Sequence, residues 1–168
     1  MDQVKQVTTM DKKEIVNLIT ENNIANVNEI QGFTASEVEK CEQALESKLP
    51  NQYREFLLAI GHDAGLLFQG TDILFQNVED LLELRKEAEE LLAENKEPFV
   101  LPKDAFVFSM HQGYEFNFLV LSEGNAPPVY QYVEGDGPPV LVWDSFSTFL
   151  RKSIHSCAQV IKDGIIPL

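Results

Sequence analysis

From Ala105 to Trp143 the chain reads AFVFSMHQGYEFNFLVLSEGNAPPVYQYVEGDGPPVLVW, and this stretch decides the fold. Its apolar runs are short and each is broken by glycine or proline. Ala105 to Met110 predicts a strand, Gln112-Gly113 a turn, and Glu115 to Leu121 the returning strand, with Phe116, Phe118 and Val120 on one face. Gly124 to Pro128 reads as a loop and Val129 to Val133 as the next strand. Glu134-Gly135-Asp136-Gly137-Pro138 then turns into Val140 to Trp143. Strands that follow one another through short connections form an antiparallel meander.

Helices flank this meander on both sides in sequence. Downstream, Asp144 or Ser145 caps a last helix with Phe146, Phe149, Leu150, Ile154, Cys157 and Ile161 inward. Upstream, Thr34-Ala35-Ser36-Glu37 is a capping-box pattern, followed by Val38, Cys41, Leu45 and Leu49 at helical spacing. Pro50 opens a second helix carrying Tyr53, Phe56, Leu57 and Ile60, and Gly61 is placed to end it. Leu66-Leu67-Phe68 and Ile73-Leu74-Phe75 suit short strands. Asn77 caps a helix that runs to about Asn95, with Val78, Leu81, Leu82, Arg85, Ala88, Leu91 and Leu92 inward and a glutamate-rich outer face. Residues 10–22 give a further helix with a narrow stripe of Ile15, Leu18 and Ile19, followed by an asparagine-rich irregular segment. The order helices, strands, helix indicates α+β, an antiparallel meander flanked by helices in one domain. Residues 33–168 form that domain, and residues 1–32 are an accessory helix and linker.

The chain has 168 residues, 44% of them hydrophobic. That length buries ~70% of the unfolded surface without disulfides or a structural metal. No apolar run approaches the ~20 residues of a membrane span, and the start, Met1-Asp2-Gln3-Val4, has no apolar core of a secretory signal. A cytoplasmic location is the expectation. Asp plus Glu total 27 against 13 Lys plus Arg, a net charge of −14. Such a chain is repelled by nucleic acid and by anionic membrane, so a basic protein is the expected partner. The oligomeric state stays open. From Asp104 to Leu150 there is no Lys or Arg, so the sheet region presents a negative field without counter-charge.

Motifs for chemistry are sparse. There is no G-x-S-x-G, phosphate-binding loop or H-E-x-x-H. Gly135-Asp136-Gly137 runs into two prolines and reads as a turn. His62, His111 and His155 lack metal-ligand spacing, and His62 and His111 read as exposed turn residues. Cys41 and Cys157 fall on apolar helix faces and read as small buried residues. No cofactor, metal site or catalytic residue is expected.

Phe33-Thr34-Ala35-Ser36-Glu37-Val38-Glu39, then Leu49-Pro50 with Tyr53, Phe56-Leu57 and Gly61, resembles the opening of the SUKH superfamily. Val107-Phe108-Ser109 leading to Gly113-Tyr114, Pro128 to Tyr132, and Trp143-Asp144-Ser145-Phe146-Ser147-Thr148-Phe149-Leu150 resemble that family's strands and closing helix. The similarity covers about residues 33–154. It departs at Ile60-Gly61-His62-Asp63-Ala64-Gly65, where many members carry Asn-Gly-Gly.

The resemblance implies a non-enzymatic α+β binding domain. Its family includes fungal cell-wall assembly regulators and bacterial immunity proteins that block a toxin, often a nuclease or deaminase. An immunity protein is the leading expectation, and a regulatory or scaffold module of the same fold is the alternative. A third possibility is an enzyme whose site gathers scattered carboxylates in a deep pocket. For the binding roles the candidate residues lie in the basic-free stretch. Glu115, Glu134, Asp136 and Asp144 supply charge near strand ends, and Tyr114, Tyr130 and Tyr132 supply aromatic anchors. Trp143, Phe146 and Phe149 are expected in the core.

Overall fold

The computed structural model describes residues 9–165. Helix α1 is Lys12–Glu21, β1 Ile30–Gln31, α2 Ala35–Leu45, α3 Asn51–Ile60, β2 Asp63–Ala64 and β3 Thr71–Asp72. Then follow α4 Val78–Glu94, β4 Ala105–His111, β5 Glu115–Val120, β6 Val129–Val133, β7 Val140–Trp143 and α5 Phe146–Lys162. Strands β3-β4-β5-β6-β7 form a five-stranded antiparallel sheet in sequence order, and β1 pairs with β2 apart from it. The fold is α+β with the expected meander, extended by β3.

The caps start the helices where the sequence places them. Thr34 Oγ1 accepts from the Glu37 N–H at 3.2 Å, and Glu37 accepts in return from the Thr34 N–H at 2.7 Å. Asn77 Oδ1 accepts from the Asp80 N–H at the start of α4, and Ser145 Oγ accepts from the Thr148 N–H at the start of α5. Pro50 stands just before α3. Gly61 ends α3 with helical φ, so left-handed freedom is not its purpose. A Cβ there would lie 2.6 Å from the Phe33 ring and 2.7 Å from the Leu57 carbonyl. Glycine is required because the chain before α2 crosses the end of α3 at contact distance.

The register explains the core. Val107 opposes Phe118 and Ser109 opposes Asn117, so Phe108 is an extra residue on β4. This bulge turns Phe108 and Ser109 toward the same side. There Phe106 and Phe108 meet Tyr53 of α3 and Phe146 of α5, with ring centroids 5.0–5.9 Å apart. Phe116, Phe118 and Tyr132 fill the opposite face, where Phe99 from the segment after α4 reaches Phe118 at 6.3 Å.

Helix α1 belongs to the same core as the rest. Ile15 and Ile19 are fully buried, Met10 and Ile24 nearly so, and the Lys12 N–H donates to Glu55 of α3 at 2.7 Å. The segment that the sequence sets apart as an accessory is thus packed against α3.

Three local expectations are corrected. The runs 66–68 and 73–75 are not strands: the chain reverses at Phe68 (φ 63°) and Gly70 (φ 79°), and the paired residues are Thr71 and Asp72. Ile73 and Phe75 are buried as plugs from irregular backbone. Leu84 of α4 is buried and Leu82 only partly so. Trp143 is half-buried, edge-on to Phe149 at 5.0 Å, whereas Phe146 and Phe149 are core.

Candidate functional site

The two hairpin turns of the meander, 112–114 and 134–139, lie at the same end of the sheet. The Glu134 N–H donates to the Tyr114 carbonyl at 2.9 Å and locks one turn onto the other. Gln112 and Gly113 take the left-handed conformation in the first turn, and Gly135 and Gly137 (φ 87° and 86°) do so in the second. Four of the candidate residues gather here. Tyr114, Glu134 and Asp136 are exposed, and Glu115 is half-buried and opposes Val133. The other three lie elsewhere. Asp144 is exposed at the far end of β7, and Tyr130 lies toward that same end, stacked on Phe118 at 5.2 Å, with its hydroxyl donating to Glu123. Burial and the Glu123 charge push the Tyr130 hydroxyl above its ordinary pKa.

Tyr132 is corrected from anchor to core. It has no exposed surface, packs on Phe116 at 5.2 Å, and its hydroxyl donates to Glu97 at 3.3 Å. A partner cannot reach it unless what packs over that face of the sheet, Glu97 included, is displaced.

A polar row that sequence reasoning missed crosses the sheet beside this end. Asn117 Nδ2 donates to Ser109 Oγ at 2.9 Å, and Gln131 Nε2 donates to Glu115 Oε1 and to Asn117 Oδ1 at 3.1 and 3.2 Å. Thr71 Oγ1 and His111 Nδ1 stand 2.7 Å apart. The available signal was a polar residue at a sheet-facing position in three successive strands. The row holds the Glu115 carboxylate at the sheet surface, so its charge is positioned rather than free to swing.

His62 and His111 are not the free turn residues expected. His62 Nδ1 lies 2.6 Å from the Phe75 carbonyl, its Nε2 lies within hydrogen-bond reach of Glu37, and its ring packs on Phe33 at 4.5 Å. The Thr34 N–H, opposed by partial burial and helped by the Thr34 hydroxyl and His62, holds the Glu37 carboxyl below its ordinary value. Cys41 is buried, and burial together with Glu42 pushes its thiol up to about 12. Cys157 is only half-buried. Both are free cysteines. Among the described residues no cluster of His, Cys, Asp and Glu could hold a metal ion, and no helix is long and apolar enough to cross a membrane.

A cleft of about 1120 Å³ lies away from the five-stranded sheet, between the end of α1 and the end of α5. Asn22, Asn26, Asp63, His155 and Lys162 are among the residues that line it. None of the candidate residues contributes to it.

The model of the SMI1 / KNR4 family (SUKH-1) matches residues 32–152 of this chain, more than half its length. The chain belongs to the SMI1/KNR4 family. Among curated proteins, nothing matches this SUKH-1 chain. The matched span holds α2, α3, the whole meander and the start of α5, and so includes both hairpin turns of the acidic end. Membership supports a protein-interaction or immunity-type module.

Proposed function

We propose that this SUKH-1 chain is a non-enzymatic binding protein that neutralises one cognate toxin, of nuclease or deaminase type, by direct contact in the cytoplasm of the producing cell. The observation that carries the reading is the acidic end of the sheet. Glu115, Glu134 and Asp136 stand together with exposed Tyr114 on two turns that are locked to one another, in a stretch without a single Lys or Arg. A toxin that handles nucleic acid carries a basic cleft for phosphates. A carboxylate-bearing rigid end is complementary to such a cleft, and long-range attraction speeds their encounter. An exposed tyrosine between the charges offers the apolar contact that slows dissociation.

Co-expression with a toxin domain encoded beside its gene tests the reading. The chain is expected to restore growth and to form a stoichiometric complex with that domain. Rescue without complex formation, or a complex that leaves the toxin active, contradicts it. Association with several housekeeping proteins instead would point to the regulatory module of the same fold.

A further inference from the structure

The two edges of the main sheet are treated differently. On one side β4 is paired by the two-residue β3, and α4 packs against β4. Arg85 of α4 donates from Nη1 to the carbonyls of Pro102 and Ala105 at 3.1 and 2.8 Å, so the edge that β3 leaves open is occupied. On the other side, among the described residues, nothing pairs with the outer side of β7. Its residues Val140, Leu141 and Val142 are 60%, 55% and 39% exposed. Proteins usually guard such an edge with lysine or an inward-pointing charge, and β7 carries neither. Two adjacent prolines, Pro138 and Pro139, precede it and stop the strand from lengthening toward the turn.

The charge at the ends of β7 selects the occupant. Glu134 and Asp136 stand on the turn before it and Asp144 directly after it, all exposed. A second copy of the chain, running antiparallel along β7, would set the Asp144 of each copy beside the acidic turn of the other. With −14 on each copy, that arrangement is repulsive. An extended segment with an apolar centre and Lys or Arg at both ends meets attraction at both ends and apolar surface between them.

We infer that the open edge of β7 takes up such a segment from a basic protein partner as a sixth antiparallel or parallel strand of the sheet. Backbone hydrogen bonds supply affinity, and the flanking carboxylates supply selection for basic ends. The inference deepens the proposed function, since it names the partner's contacting element, and it rests on that reading only for the partner's identity as a toxin.

The test uses synthetic peptides on the full chain at low and at moderate salt. The probe is a fluorescent ten-residue peptide with a Val-Thr-Val-Thr centre and lysines at both ends. Its controls carry glutamates at the ends, or a proline in the centre. The basic peptide is expected to bind and to slow hydrogen exchange at residues 140–143 at least tenfold, with exchange at β3 and β4 unchanged. Leu141→Lys, at an exposed position that leaves the core intact, should weaken binding at least tenfold, and the pair Glu134→Lys and Asp136→Lys should weaken it chiefly at low salt. Equal binding by the proline-interrupted peptide would overturn strand pairing and leave only charge attraction. Protection of 140–143 in the chain alone that grows with its concentration would assign the edge to a second copy. Absence of binding by the basic peptide at low salt overturns the inference outright. Success with the peptide alongside failure of the growth rescue would remove the toxin reading and keep the edge.

Discussion

Glu42 shows how one buried acid fixes a hinge. Its side chain is nearly inaccessible on α2, yet it accepts from the Leu49 N–H at 3.0 Å and from Lys48 Nζ at 2.8 Å, with Arg54 Nη1 at 3.6 Å. Burial works to raise its pKa, but the hydrogen bonds from Lys48 and Leu49 and the charges of Arg54 and Lys48 outweigh it and hold the carboxyl below its ordinary value. Lys48 is mostly exposed, so its ion pair contributes little. The bond to the buried Leu49 N–H contributes more, because nothing else satisfies that donor at the Leu49-Pro50 step. Glu42→Ala is expected to cost about 1–3 kcal/mol by orphaning that donor, read by urea unfolding at neutral pH. The sign with pH follows from linkage. A carboxyl whose folded pKa lies below its unfolded value binds fewer protons when folded. Its stabilisation is therefore complete above the unfolded value and is lost as pH falls through the folded one. The stability gap between wild type and Glu42→Gln should close as pH drops below about 4. A gap that stays constant over that range would show that charge on Glu42 does not matter to the hinge.

Elements were legible in the sequence where the pattern is local. The meander was readable because its alternation and its glycine turns are written within a few residues, and the caps at Thr34, Asn77 and Ser145 mark helix starts by their own side chains. The segment 66–75 was not legible. Its apolar residues are buried by distant partners, and the positive φ at Phe68, which a phenylalanine does not favour locally, goes with that packing, whereas Gly70 takes its positive φ freely. The same holds for His62, whose ring is held by Phe75 and Glu37 from other elements, and for Arg85 of α4, whose guanidinium donates to the Ala105 carbonyl of β4. The exposure of the candidate residues was readable only in part. Acids and Tyr114 in turns are exposed by position, but Tyr132 follows the strand alternation into the core, and only the register against Phe116 reveals it. A test at this scale falls on Gly32, between β1 and α2. A Cβ there would stand 1.9 Å from the Leu58 carbonyl oxygen of α3, backbone against side chain with no room to yield. Gly32→Ala should lower stability by at least about 1–3 kcal/mol, seen as a drop in Tm. Gly70→Ala has open space around it and meets only the cost of its positive φ, so it should lose less.

At the scale of the whole molecule, the helices and the sheet's inner faces make a rigid support, and what remains outward is acidic. Two of its acidic regions differ in their neighbours. The outer face of α4 carries Glu79, Glu83, Glu87, Glu90 and Glu94 on a solvated helix, where Lys40 and Lys86 neutralise part of it. The sheet end has no such basic neighbours in sequence, and its carboxylates stand on turns fixed by the Glu134-to-Tyr114 hydrogen bond and by the polar row under Glu115. A binding surface needs that fixed geometry, since ordering mobile side chains costs affinity. The open edge of β7 begins beside this end, so steering charge and pairing backbone adjoin one another.

The most direct test of this account is the association rate of the chain with its proposed partner, a toxin domain encoded beside its gene, followed by stopped flow from about 20 to 300 mM salt, a range over which the screening length shrinks severalfold. The wild type is expected to associate fast at low salt and to slow steeply as salt rises. The double variant Glu134→Lys/Asp136→Lys should associate at least tenfold more slowly at low salt, with a flatter salt dependence. The same rate and the same slope in both proteins would contradict the claim that the acidic end of the sheet is the surface that meets the partner.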